Sequence, residues 1–157
     1  MKAIVILIAA LFTISCSAAT STTDNDSIST VNNGSGIMEA TAGKMKITIG
    51  TAVFAATLYN NASANEFKAR LPLTIDMTEL NGKEKYFDFS SPLPTDASVG
   101  GAIKAGDLML YTNNVLVLFY KNFNTSYSYT RLGVVDDPAG LADALGAGNV
   151  VAKFEKN

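Results

Sequence analysis

Apolar and polar residues alternate along most of the chain after residue 43. In the segment 44–49, Met45, Ile47 and Ile49 are separated by a lysine and a threonine. A period of two is typical of a β-strand with one buried face. The same pattern, interrupted by turn residues, predicts eight strands, at about residues 44–49, 53–59, 73–78, 83–89, 107–112, 115–120, 126–135 and 149–155.

The stretch 107–137 contains the densest apolar run, and we expect it to form the central strands of the sheet. Val115–Phe119 is a run of five apolar residues without alternation, so both faces of this strand are expected to be buried. Asn113-Asn114 precedes the run and predicts a tight hairpin. The dipeptide Asn-Gly at 81–82 predicts another hairpin between the third and fourth strands.

Two segments depart from the strand pattern towards a helical one. Residues 60–71 begin with asparagines that can cap a helix, and Pro72 ends it by disfavouring helical geometry at the preceding residue. The sequence Asp-Asp-Pro at 136–138 predicts the start of a second helix, because an Asp cap followed by proline is a common start signal. The sequence therefore predicts two short helices.

Strands outnumber helices, and the helices occur singly. Residues 90–103 contain two prolines and two glycines without periodicity and are predicted to form a long loop. These elements favour a mainly β protein, in which about eight strands close into an antiparallel barrel capped by two short helices. We assign residues 44–157 to this barrel domain, which is long enough to bury one core.

Residues 1–16 resemble a bacterial lipoprotein signal peptide. The apolar run 3–12 follows a lysine and is too short to cross a bilayer, which needs about 20 residues. The run leads to Cys16, the only cysteine, in a sequence similar to a lipobox. Cys16 is therefore predicted to be lipidated, and ordinary signal-peptidase cleavage at 17–19 is the alternative.

Residues 17–43 are rich in serine, threonine, asparagine and glycine and lack apolar periodicity. Such a segment buries too little surface to offset its ordering entropy, so we expect a flexible tether. Together with the lipobox, it predicts a protein of the cell envelope, lipid-anchored to a bacterial membrane, with the outer membrane or cell surface favoured. A periplasmic or secreted protein is the alternative.

The composition excludes several kinds of chemistry. There is no histidine and no tryptophan, and there is one cysteine. Ser-His-Asp and Cys-His catalysis, histidine-ligated metal sites and intrachain disulfides are thereby excluded. The net charge of −2 gives no basic face for nucleic acid. No metal or cofactor is predicted.

Four longer segments resemble a known family. They are LPLTIDMTELNGKEKYF at 71–87, AGDLML at 105–110, LVLFYKNFNTSYSYTRLG at 116–133 and DDPAGLADALGAG at 136–148. The chain is similar over residues 45–155 to the cyclophilin fold, and specifically to the bacterial cyclophilin-like domain family of unassigned function. The resemblance implies a barrel with an open groove on one face.

The resemblance also shows what is missing. Active cyclophilins carry a Phe-His-Arg motif on the third strand, where the arginine is the main catalytic group, and a tryptophan and a histidine line their proline pocket. The corresponding region here is YFDF at 86–89, without histidine or arginine. The resemblance therefore implies the fold and not prolyl isomerase activity.

The strand at 126–135 carries the main candidate site. Tyr127, Tyr129 and Arg131 are spaced two apart and so share one face. Tyrosine supplies apolar area and a hydroxyl, and arginine a fixed set of donors, so this row is expected to bind a peptide or a small ligand. The alternative is a structural row in which Arg131 pairs with Asp107 or Asp136.

A second aromatic group is predicted nearby. Tyr120 and Phe123 flank a loop and can line a groove, and Tyr111 lies one hairpin away and can join them, whereas Phe119 is expected in the core. Asp88 is expected to be exposed or paired with a lysine. From these features we expect a binding module for a peptide or small ligand. A prolyl isomerase with a divergent active site and a surface protein-interaction domain are the alternatives.

Overall fold

The computed structural model describes residues 41–157. The predicted signal peptide with Cys16, and the predicted tether up to residue 40, lie outside the described residues. The first strand begins at Thr41, ahead of the predicted start of the domain at Lys44. The reason is that Thr41 pairs with Tyr59 at the far end of the second strand.

The described part of the chain contains nine strands and two helices. The strands are β1 (Thr41–Ile49), β2 (Ala52–Tyr59), β3 (Leu73–Leu80), β4 (Glu84–Asp88), β5 (Ser98–Ile103), β6 (Asp107–Tyr111), β7 (Val115–Phe119), β8 (Phe123–Val135) and β9 (Val150–Lys156), and the helices are α1 (Ala62–Ala69) and α2 (Leu141–Leu145). Turns at 81–83 and 112–114 join β3 to β4 and β6 to β7, which confirms both predicted hairpins.

Eight of these strands form a closed antiparallel ring. Their order around the ring is β1, β9, β3, β4, β7, β6, β8 and β2. The ring closes where residues 56–58 of β2 pair with residues 133–135 of β8. Closure leaves no unpaired edge within the ring, and it confirms the predicted mainly β barrel of eight strands with two helices.

In residues 41–157 there is no helix of the length and apolar character needed to cross a membrane.

The barrel interior is filled by the inward-pointing residues of alternate positions. Helix α1 covers this interior with Phe67, whose ring centroid lies 6.0 Å from that of Phe154 and 6.4 Å from that of Phe89. Asn61 caps α1 by accepting a hydrogen bond from the Ala64 amide at 2.8 Å, as the asparagines predicted. The fully buried interior side chains include Met45, Ile47, Leu58, Phe67, Met77, Leu108, Leu110, Leu116, Leu118 and Phe154.

The strand β5 lies outside the ring and corrects one prediction. Residues 98–103, predicted as part of a long loop, instead pair with residues 123–129 of β8. No alternation marks β5, because its glycines and small residues carry little apolar signal, and its hydrogen bonds to β8 define it. We call β5 together with residues 123–129 of β8 the outer ribbon.

The strand β8 bends so that the outer ribbon lies over the barrel wall. The ring of Phe119 lies with its centroid 5.5 Å from the centroids of both Phe123 and Tyr129. Side chains six residues apart on a straight strand would stand roughly 20 Å apart, so one ring could not contact both. The bend coincides with a register shift between Val99 and Gly101 of β5.

A second apolar cluster fills the space between the outer ribbon and the barrel. It is separate from the barrel interior and consists of the buried residues Ile103, Met109, Val117, Phe119 and Tyr129. The strand β7 thus contributes to both clusters, with alternate residues facing in and out. This confirms that both faces of the 115–119 run are buried, and it places Phe119 in the outer cluster.

The second helix begins later than the sequence predicts. Helix α2 starts at Leu141, and its N-cap is Gly140 without a side-chain cap. Asp136 instead binds Lys44 at 2.9 Å and accepts a hydrogen bond from Thr57, so it ties β8 to β1 and β2. Asp137 accepts a hydrogen bond from a backbone amide two residues on. The predicted helix start at 136–138 is therefore wrong.

A charged cluster is buried at one point of the barrel interior. The side chain of Lys85 is fully buried, and its ammonium donates to the carboxylate of Glu79 and to the carbonyl oxygens of Gly146, at 2.8 Å, and Gly148. Tyr120 donates its hydroxyl to both oxygens of Glu79 at 2.8 and 2.9 Å. Burial alone would raise the pKa of Glu79, but the bonds from Lys85 and Tyr120 outweigh it and lower that pKa.

This cluster predicts a large effect of removing the buried ammonium. We expect Lys85→Met to lower the free energy of unfolding by about 3–5 kcal/mol, because it leaves the Glu79 carboxylate without its cation. Lys46→Met removes the ammonium of a partly exposed pair with Glu155 at 3.1 Å, and it should lower the free energy of unfolding by no more than about 1 kcal/mol. Chemical denaturation at neutral pH measures both.

The pH dependence provides the control. Because the folded pKa of Glu79 is depressed, its stabilisation is present above the ordinary value of 4.5 and is lost as the pH falls through the folded pKa. The difference in the free energy of unfolding between the wild type and Lys85→Met should therefore decrease below pH 4.5. Equal costs for the two lysine substitutions would contradict the role of the cluster.

Candidate ligand-binding groove

A groove of about 600 Å³ opens on the outside of the barrel. One wall is formed by the outward faces of β4 and β7, and the other by the outer ribbon and the end of β6, with the β3–β4 turn between them. The lining residues are Leu80, Asn81, Lys83, Glu84, Tyr86, Asp88, Tyr111, Val115, Val117, Phe123, Asn124, Thr125, Tyr127 and Tyr129. The groove thus exists because the ribbon lies over part of the barrel wall and leaves β4 uncovered.

The strand β4 supplies the polar residues of the first wall of the groove. Glu84, Tyr86 and Asp88 alternate with Lys85 and Phe87, so the first three point outwards into the groove and the other two inwards. The outward row therefore has a carboxylate at each end and an aromatic ring between them.

Tyrosine rings form the opposite wall. The ring centroids of Tyr111 and Tyr127 lie 6.1 Å apart at an interplanar angle of 83°, and those of Tyr111 and Tyr129 lie 5.5 Å apart at 49°. Edge-on and tilted contacts of this kind are favourable for aromatic pairs. Tyr127 is 63% exposed and Tyr111 37% exposed, whereas Tyr129 is buried. The wall therefore presents two accessible rings, of which Tyr111 packs against both Tyr127 and the buried Tyr129.

Glu84 is a half-buried carboxylate without a compensating partner. Within residues 41–157 it makes no ion pair or hydrogen bond through its side chain. Burial raises the pKa of Glu84 above its usual value, the nearby Lys83 opposes this effect, and the charge of Glu79 adds to it. The side chain of Asp88, at the other end of β4, is exposed.

Lys83 is the one basic residue among those that line the groove. Its ammonium lies 4.9 Å from the centroid of the Phe123 ring, an arrangement in which the cation is attracted to the ring face. It is thus held beside an aromatic ring rather than in an ion pair with Glu84.

The hydroxyl of Tyr129 stays protonated at neutral pH. Burial, followed by the charge of Glu84 and then the neighbouring Tyr111 and Tyr127, raises the pKa of Tyr129 to about 12. A phenol with such a pKa acts as a hydrogen-bond donor or acceptor and not as a general base. Tyr129 therefore offers a ligand a neutral hydroxyl.

Four of the six residues predicted for the site lie together. Tyr111, Phe123, Tyr127 and Tyr129 all line the groove, and the bend of β8 brings them together across the ribbon. Their role in binding a ligand stays a prediction.

Tyr120 lies in the barrel interior instead of the groove. It is buried among the interior residues, and its hydroxyl binds Glu79. Burial and then this bond raise the pKa of Tyr120 to about 12. The sequence placed it beside a loop, but the chain between β7 and β8 directs its ring inwards.

Arg131 is not among the residues that line the groove. It pairs in register with Met109, two positions along β8 from the pair of Tyr129 with Tyr111. Its side chain forms no ion pair with either of the expected alternative partners, Asp107 and Asp136. Asp136 binds Lys44, and Asp107 accepts a hydrogen bond from the backbone amide of Lys104 at 2.8 Å. The even spacing of the row predicted a shared face, but the groove ends at Tyr129.

The sequence did not identify the β4 side of the groove. The alternation of Phe87 and Phe89 indicates the inward face of this strand, and both pack in the barrel interior. It does not show that Glu84 and Tyr86, on the outward face, lie opposite the tyrosines. Asp88 was expected to be exposed, and it is.

No metal site is apparent in this part of the chain. Residues 41–157 contain no group of three or more cysteine, aspartate or glutamate side chains placed to hold an ion. The residues that line the groove supply aromatic rings, hydroxyls, amides, two carboxylates and one ammonium.

The closed eight-stranded barrel, its two helices and the outer groove define a cyclophilin-like domain. The model of the family described as the cyclophilin-like family matches residues 47–155, and the chain belongs to this family. The match spans the barrel from β1 to β9. Neither the curated proteins nor the solved structures contain a match to the chain.

The bend of the outer ribbon predicts a steric effect at Gly100. A Cβ atom there would lie 2.9 Å from Cγ2 of Thr125 and 3.1 Å from Cδ2 of Tyr129, closer than side chains tolerate. We expect Gly100→Ala to destabilise the protein by about 1–3 kcal/mol, as overpacking does, and to displace Tyr129 from the groove wall. Thermal unfolding measures the first effect.

Gly148→Ala is the matched control, because a Cβ atom there meets nothing within 4 Å and the carbonyl that binds Lys85 is retained. Gly148→Ala should change the free energy of unfolding by no more than about 0.5 kcal/mol. Similar losses of stability at the two glycines would show that β5 does not pack closely against β8 at Gly100.

Proposed function

We propose that the groove binds an extended peptide or a small ligand, and that this protein acts as a binding module. The observation that carries the proposal is the pair of exposed rings, Tyr111 and Tyr127, on one wall of a concave groove. Exposed aromatic rings in a concave site with a few polar groups are typical of ligand-binding pockets.

The position of the groove supports the same proposal. It contains Tyr86 and Asp88, which fall in the region that the family resemblance aligns with the catalytic motif of active cyclophilins. In this region the groove presents a tyrosine and a carboxylate, and the histidine and arginine of the active motif are missing. Binding is retained in this proposal and efficient isomerisation is not, because a lining arginine is what isomerases of this fold use.

We also propose that the protein is held in the cell envelope by a lipid at Cys16. The supporting features are the lipobox-like sequence and the Ser/Thr-rich segment that follows it. In this arrangement the barrel and its groove would face the space outside the cytoplasm, where peptides and small solutes are its available ligands.

A panel of blocked pentapeptides that differ at the central residue tests the binding function. We expect at least one member to bind, as measured by isothermal titration calorimetry. Tyr127→Ala and Tyr111→Ala should each weaken that binding about tenfold, or ~1.4 kcal/mol, because each removes an accessible ring. Val151→Ala, at another exposed apolar residue outside the groove, should leave it unchanged.

The same preparation tests the enzymatic alternative. In an assay with a chromogenic proline peptide, we expect the rate of cis–trans isomerisation to equal the uncatalysed rate. Acceleration that is lost in Arg131→Ala would support an isomerase with a divergent site. If no panel member binds but the protein captures a specific partner in a pull-down from envelope extracts, the result would instead support a protein-interaction domain.

The lipid anchor is tested by Cys16→Ala in the full chain. We expect the wild type to fractionate with membranes and the variant to move to the soluble fraction, because the thiol that carries the lipid is gone. Ser17→Ala is the control and should keep the wild-type distribution. A variant Cys16→Ala that remains with the membranes would contradict the anchor.

A further inference from the structure

We propose that the groove recognises an extended peptide that carries two basic side chains four residues apart. This inference rests on the proposed binding function and specifies its ligand. It depends on the charges on β4, their separation and the rings that face them.

The charge of the groove favours a cationic ligand. Glu84 and Asp88 line it as carboxylates, and Lys83 is the one lining cation. Glu84 is half-buried, with no side-chain partner among residues 41–157. A carboxylate removed from water without a partner is unfavourable, so a ligand that supplies an ammonium or guanidinium group would relieve that cost. An anionic ligand would increase it.

The rings of the groove can receive such a cation. The ammonium of Lys83 already lies 4.9 Å from the centre of the Phe123 ring, which shows that an amine fits against this wall. The charge of Glu84 reaches the buried Tyr129 across the groove and contributes to its raised pKa. A basic side chain entering between β4 and the tyrosine wall would therefore have a carboxylate on one side and ring faces on the other.

The spacing of the carboxylates favours a peptide over a small amine. Glu84 and Asp88 are four residues apart on one face of β4, which separates them by ~13 Å at about 3.3 Å per residue. An extended peptide lying along β4 repeats this spacing between its residues i and i+4. Between the two carboxylates, the partly exposed ring of Tyr86 offers an apolar surface for the middle of the peptide.

Three peptides test this inference. The first is Ac-Lys-Ala-Leu-Ala-Lys-NH2, the second Ac-Lys-Lys-Leu-Ala-Ala-NH2, which has the same composition and charge, and the third the neutral Ac-Gln-Ala-Leu-Ala-Gln-NH2. We expect the first to bind at least tenfold more tightly than the third in low salt, and about threefold more tightly than the second. Its advantage over the neutral peptide should decrease as salt screens the charges.

Variants of the protein locate the effect. Glu84→Gln and Asp88→Asn should each reduce the affinity for the first peptide about fivefold and leave the affinity for the neutral peptide unchanged. Lys83→Gln should increase the affinity for the first peptide, because it removes a competing cation. Asp76→Asn is the matched control, since Asp76 is an exposed carboxylate outside the groove, and it should have no effect. Thermal unfolding of each variant checks that the fold is retained.

The outcomes separate the two proposals. If none of these peptides and none of the earlier panel binds, the binding function itself fails. If a panel member binds but the first and third peptides bind equally, only the cationic ligand is overturned. Equal affinity for the first and second peptides would overturn the proposed spacing of the basic side chains. Free lysine amide that binds as tightly as the first peptide would overturn the proposal that the ligand is a peptide. An effect of Asp76→Asn as large as that of Glu84→Gln would overturn the location.

Discussion

The two-part pairing of β8 is the constraint on which the rest of the structure depends. Its second half closes the barrel by pairing with β2 and β6, and its first half turns back and pairs with β5. The Phe119 ring, which contacts both ends of the turned-back part, keeps that part against the barrel. Without the turned-back part of β8, the outward apolar residues of β6 and β7 would face water, and the groove would lose one wall.

The strand β4 shows how a barrel can exchange the usual places of polar and apolar residues. Lys85 is buried because the carboxylate of Glu79 and two carbonyl oxygens satisfy its ammonium. Tyr86 faces outwards because it alternates with Lys85 along β4, and it packs against the outer apolar cluster. The same strand thus ties the β3–β4 hairpin to the segment before β9 and supplies the groove with its charges. Stability and recognition are therefore built from alternate residues of one short segment.

Local patterns predicted the barrel because six of its eight strands pair with a sequence neighbour, and segments such as 44–49 and 73–78 alternate clearly. They failed where long-range contacts decide. Strand β5 exists through its pairing with β8, and Asp136, at the end of β8, binds Lys44 of β1 instead of capping a helix. For the site, the alternation of residues along β8 identified the face that carries the tyrosines, but such alternation carries no information on how the strand bends. It therefore extended the row to Arg131 and could not show that Glu84 lies opposite.

The distribution of tyrosines has a spectroscopic consequence. The chain has six tyrosines and no tryptophan, and four of the six, Tyr86, Tyr111, Tyr127 and Tyr129, line the groove. The ultraviolet emission of the unlabelled protein therefore arises largely from this one surface, without the energy transfer to tryptophan that masks tyrosine emission in most proteins. A molecule that enters the groove changes the surroundings of most of the emitting side chains at once, so that the barrel carries its own optical reporter of occupancy.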